Sequence, residues 1–158
     1  MQLVEQHVIR KSDARYEVID QAAFASKNLY NAANYEIRQA FIKEGVYLNY
    51  HEMHRRMKSH DAYKALPAKV AQQVLRVLDK NWQSFFKAIA QWREHLEKFS
   101  GRPSLPRYKD KQKGRHLLVY TLQALSKPAL KQGYLVPSML AIRIKTAHQN
   151  VDQVRTHH

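Results

Sequence analysis

The sequence predicts an α+β fold: a bundle of about three helices inserted into a small, incomplete antiparallel β-barrel. Two observations carry this. Helical periodicity dominates the stretch up to Ser100, whereas four of the five prolines (Pro103, Pro106, Pro128, Pro137) and three of the four glycines (Gly101, Gly114, Gly133) lie beyond it. That second part holds short β-branched runs separated by these turn formers. The 158 residues are 44% hydrophobic, enough for a real core. The expected division is a helical region, 12–100, and a β region made of 1–11 and 101–158.

The elements follow in order. Gln2–Ile9 carries Val4 and Val8 without a helix cap and reads as a short strand. A long helix starts near Ser12-Asp13, with Val18, Ala22, Leu29, Ala33, Ile37 and Phe41 at helical spacing, and Gly45 stops it. Asn49 opens a second helix, with Glu52 at the capping-box distance; Met53 and Met57 carry it to about His60-Asp61. The third helix opens at Leu66-Pro67, with proline at the first helical position, where its missing N–H costs nothing. Val70, Val74, Val77/Leu78, Phe85, Ile89 and Leu96 form its apolar face. Beyond Ser100 the strand candidates are Leu117–Thr121, Tyr134–Val136, Ile142–Lys145 and Val151–Val154, with the N-terminal strand completing the barrel.

Charge narrows the function classes. The chain has 27 Lys+Arg against 13 Asp+Glu, a formal net charge of +14. Residues 101–158 hold 11 basic and 2 acidic residues, against 16 and 11 in residues 1–100. Such a surplus attracts phosphate through counterion release. With no cysteine the chain has no disulfide, no cysteine-ligated zinc and no thiol nucleophile. The N-terminus lacks a signal-peptide pattern, and no window approaches the ~18 apolar residues of a membrane span. The protein is therefore expected to be soluble and cytoplasmic, with no membrane partner. The pairs His51/His54 and His157/His158 have no third ligand at metal spacing, so neither a metal nor a cofactor is expected. The carboxylates are scattered, with only Asp110 and Asp152 beyond Ser100, and no catalytic centre is visible.

Two basic constellations stand out instead. On the third helix Lys69, Gln73, Arg76, Lys80, Gln83 and Lys87 recur every three or four residues opposite the apolar face, interrupted only by Asp79. Lysines and arginines at this spacing suit a phosphate backbone, with glutamines donating to sugar or base edges. The second runs from Arg102 through Arg107, Lys109, Lys111 and Lys113 to Arg115, with Tyr108 interleaved and Asp110 the only acid. Basic side chains around an aromatic suit a nucleic-acid backbone with one stacked base.

Several segments in order resemble a family. Ser26-Lys27-Asn28-Leu29-Tyr30-Asn31, Leu66-Pro67 followed by Ala71-Gln72-Gln73-Val74-Leu75, Phe85-Phe86, Pro106-Arg107-Tyr108-Lys109 and Ile142-Arg143-Ile144-Lys145-Thr146 are similar to the N-terminal half of TnpB. These are the OrfB-type, transposon-encoded RNA-guided DNA endonucleases. The resemblance implies a wedge barrel interrupted by a helical recognition region, together binding guide RNA and reading a short motif beside the DNA target. It also implies target-motif contacts from Tyr50, Gln72 and Thr121, types that suit base recognition: glutamine pairs with adenine and threonine meets a thymine methyl. Full-length members continue into a RuvC-like nuclease and a four-cysteine zinc ribbon, and the chain ends at His158, before the first acid of that nuclease is expected. The leading expectation is a nucleic-acid-binding portion of a TnpB-like transposase that holds guide RNA and target-adjacent DNA without cleaving, and is no enzyme on its own. The alternatives are an inactive transposon remnant, or a helical protein-interaction module anchored by Trp82, Phe85 and Trp92.

Overall fold

The computed structural model describes residues 4–158. Helix α1 spans Ala14–Glu44: the Asp13 carboxylate accepts the Arg15 amide at its start, and Gly45, left-handed at φ 68°, ends it. Only glycine adopts that conformation without steric cost, so the sequence places the stop. Helix α2, Tyr50–Met57, is capped by the Asn49 side chain accepting the Glu52 amide. The single helix expected to continue to His60-Asp61 is in fact broken. The His60 ring accepts the Ala62 amide and starts a separate short helix, α3, Asp61–Lys64. Helix α4, Ala68–Glu94, begins one residue after Pro67, which serves as its cap rather than its first helical residue. Leu96 leaves the apolar face assigned to it: it lies in a 3₁₀ turn, Leu96–Lys98, and is 59% exposed.

The core forms where α1 meets α4. Ala23, Leu29, Ala33 and Ile37 of α1 and Val70, Val74, Leu78, Trp82, Phe85 and Ile89 of α4 are buried. Trp82 is 0% exposed and donates its indole N–H to Asn34 Oδ1 at 3.0 Å, which satisfies two buried polar groups at once. Phe41 meets Trp82 edge-on at 5.4 Å, and Tyr47 and Phe86 complete the aromatic cluster. Burying rings of this size contributes more to the helical core than any other residue type.

The second part is sparse in regular structure. Strand β1 (Val119–Thr121) is followed by helix α5 (Lys127–Lys131), β2 (Tyr134–Leu135), β3 (Ile144–Lys145) and β4 (Gln153–Arg155). β1 pairs antiparallel with β4, and β2 with β3, so there are two separate two-stranded ribbons. Among the described residues the expected barrel is not formed. Strands of two or three residues carry too few ladder bonds to curl a sheet on itself. In addition, Met139 (φ 67°) and Ala141 (φ 52°) turn the chain sharply between β2 and β3. The predicted N-terminal strand is also absent: residues 4–10 join no ladder, with Val4 88% and Val8 73% exposed, while Gln2 and Leu3 lie outside the described residues. Glu5 tethers this segment, accepting the Ala147 amide at 3.2 Å. The β region packs onto the helices through β1 against α4. Among the described residues no helix is long and apolar enough to cross a membrane.

Candidate nucleic-acid interface

The outer face of α4 is the first surface. Lys69, Arg76, Lys80, Gln83 and Lys87 are exposed, while Gln72 and Gln73 are half-buried. They lie across the helix from Val74, Leu78, Trp82 and Phe85, the residues that build the core. Among the described residues none of the four cations forms an ion pair. Asp79, the acid that interrupts the stripe in sequence, accepts the Tyr47 hydroxyl instead. Burial, reinforced by that carboxylate, pushes the Tyr47 hydroxyl upward in pKa, so it stays a donor at any ordinary pH. Tyr50, at the start of α2, joins this surface: the Arg76 guanidinium lies 4.2 Å over its ring.

The second surface is the strap, residues 102–115, which runs antiparallel along α1 and is held there by side chains of that helix. Asn34 Nδ2 and Arg38 donate to the Pro106 carbonyl at 3.0 and 2.9 Å. Asn31 bonds both backbone groups of Lys109, donating to its carbonyl and accepting its amide, each at 2.9 Å. Lys27 donates to the Lys111 carbonyl and Ser26 to that of Leu117, while the His116 amide reaches the Ala23 carbonyl. An Asx-type turn holds the middle, where Asp110 Oδ1 accepts the amides of Gln112 and Lys113 at 2.9 and 2.7 Å. Those bonds keep the Asp110 carboxyl below the usual carboxylate range. Two segments singled out in the sequence, 26–31 and 106–109, are thus in direct contact.

Because α1 engages the strap's backbone, its side chains are left largely free. Arg102, Arg107, Lys111 and Lys113 are exposed, and Tyr108 is 44% exposed. Arg102 lies 5.9 Å over the Trp92 ring, and half-buried Lys109 sits 5.1 Å from the Tyr30 ring. Arg115 differs from the rest. Its guanidinium grips Asp20 at 2.9 and 3.1 Å, so its charge is neutralised within the protein and the Asp20 carboxyl is held low. Thr121 is half-buried in β1 opposite Gln153. The structure therefore brings Tyr50 to Arg76, gathers Arg107, Tyr108, Lys111 and Lys113 on one segment, and leaves the α4 stripe and the strap as two surfaces on different helices.

Sequence reasoning gave no seating role to the residues that hold the strap, Lys27, Asn31, Asn34 and Arg38, although the first and second lie in a segment it singled out. The signal was present, since they fall at helical spacing and form one polar stripe on α1. It was obscured because each alone resembles an ordinary surface residue. Lys27 is instead 1% exposed, with its ammonium 3.8 Å over the Phe24 ring, and burial foremost lowers its pKa. Beneath the strap's end, His116 is 4% exposed and packs on Tyr30, and among the described residues its Nε2 has no partner. Burial foremost, with Lys109 and His158 adding repulsion, holds its pKa down at about 4.

No protein-family model matches the chain, and no curated protein is significantly similar to it.

Proposed function

We propose that this chain is a nucleic-acid-binding module, the portion of a TnpB-like protein that holds a structured, guide-type RNA and the DNA beside its target without cutting either. The observation that carries the reading is the strap. Its backbone is fastened to α1 by Lys27, Asn31, Asn34 and Arg38, while Arg107, Lys111 and Lys113 face solvent unpaired among the described residues. A fixed basic segment loses little entropy when it meets a phosphate backbone, which favours binding over a merely solvated loop. The stripe on α4 supports the same reading: among the described residues its cations form no ion pair, and its glutamines would donate to sugar or base edges. Binding without cleavage is proposed because the strap's only carboxylate, Asp110, already accepts two amides. Of the three anchors of the protein-interaction alternative, Trp82 and Phe85, at 0% and 8% exposure, are core residues, which weakens it, while Trp92 is half-buried with Arg102 over its ring.

The test is to purify the protein from its native host without nuclease treatment and sequence the RNA that accompanies it. A discrete RNA encoded beside the protein's own gene, released only at high salt, is the expected result. Random RNA, or none, would overturn the guide-type reading.

A further inference from the structure

We infer that Tyr35, Arg38 and Tyr108 form a stacking site for an unpaired nucleobase, so that the strap takes single-stranded rather than fully paired nucleic acid. This rests on the binding function proposed above and specifies its ligand. Tyr35 is 53% exposed on the outer side of α1, one helical turn before Arg38. Tyr108, 44% exposed, is carried by the strap to Arg38, whose guanidinium lies 5.1 Å over its ring. Two large aromatic rings left this open, one under Arg38 and the other one helical turn before it, contribute little to the core, and a base would remove them from water.

The site is also held in place. Arg38 donates to the Pro106 carbonyl at 2.9 Å, which fixes its planar head instead of leaving it to sample many rotamers. Asn31 clamps both backbone groups of Lys109, so the residue carrying the Tyr108 ring cannot swing away. Flat groups of this kind stack on bases of any sequence, and an arginine plane serves as well as a ring. Arg107, exposed and next to Tyr108 in the chain, adds a free positive charge to the same segment. In a duplex the bases are stacked on one another, so only an unpaired base can enter.

The probes are a fluorescein-labelled 12-nucleotide oligouridine and a blunt RNA duplex of the same length. Tyr35→Ala and Tyr108→Ala should each weaken oligouridine binding about ten-fold, as stacking on one aromatic ring requires, and leave duplex binding within about two-fold. Tyr35→Phe and Tyr108→Phe keep the ring and should bind like wild type, which separates stacking from misfolding. Equal losses on both probes, or unchanged oligouridine affinity in the alanine variants, would overturn the stacking site while leaving the wider binding function intact. Failure of the wild-type protein to bind either probe at low salt would instead sink that function, and the site with it.

Discussion

At the scale of single residues, the side chains that matter most to the strap are the buried polar ones beneath it. His116 has no partner for Nε2 among the described residues, and burial foremost, then Lys109 and His158, disfavours its charge. Its pKa falls from 6.5 to about 4 on folding, so between those values the unfolded chain binds more protons than the folded one. Stability contributed at this site is fully present above pH 6.5 and falls as the pH drops towards 4, by about 3 kcal/mol in all. His116→Phe keeps the packing on Tyr30 and removes the proton. Unfolding of the two proteins, followed from pH 7 to pH 4, should therefore show the wild type losing about 3 kcal/mol more than the variant. Equal losses would mean that His116 is not the group responsible.

The elements show how far local chemistry carries. Asp13, Gly45 and Asn49 bound their helices where the sequence places those boundaries, because a cap is decided by one residue and its near neighbours. The strand candidates beyond Ser100 were also found close to their places. That they would pair as separate two-stranded ribbons and not as a barrel was not readable, since pairing depends on partners far along the chain, and ladders of two or three residues do not announce themselves. The strap was readable as a basic segment and unreadable as a docked one. Its seat is made by Asn31 and Asn34, whose roles exist only once residues 106–109 arrive. Two substitutions test the docking. Asn31→Ala deletes both bonds to Lys109 and should cost about 1 to 3 kcal/mol, read as faster proteolytic cleavage within 102–115. Gly114→Ala puts a methyl group 2.3 Å from the Asp110 carbonyl oxygen and should open the turn, giving a similar cleavage pattern. An unchanged pattern in both would show that the strap does not depend on these anchors.

Over the whole molecule, basic surface is spread across two helices and not confined to the part beyond Ser100. The α4 stripe lies across its helix from the core, and the strap follows α1, so the two should engage different stretches of a ligand. Replacing Lys69, Arg76, Lys80 and Lys87 with Gln should weaken RNA binding and reduce the slope of log affinity against log salt by about 3, if each cation meets one phosphate. The same change at Arg107, Lys111 and Lys113 should reduce it by about 2 to 3. Combined, the two sets should act additively, as sites without shared partners do. Titrations of the three variants at several salt concentrations decide this, and a slope unchanged by either set removes that surface from the interface.

The way the strap is fastened also bears on how the chain folds. The side-chain bonds that join α1 to the strap and its end link residues 68 to 95 positions apart, whereas the helices themselves form from contacts within a turn and the α1–α4 side-chain bonds link residues only 48 and 51 apart. Closing loops of that length is slow compared with helix formation. Refolding should therefore run in two stages. The amides of α1 and α4 gain protection from hydrogen exchange first, and those of 109 and 116–119 gain it later, when the strap reaches its seat. Until then the chain would be a helical body with a loose basic tail, and the ligand-ready surface would be the last part to appear.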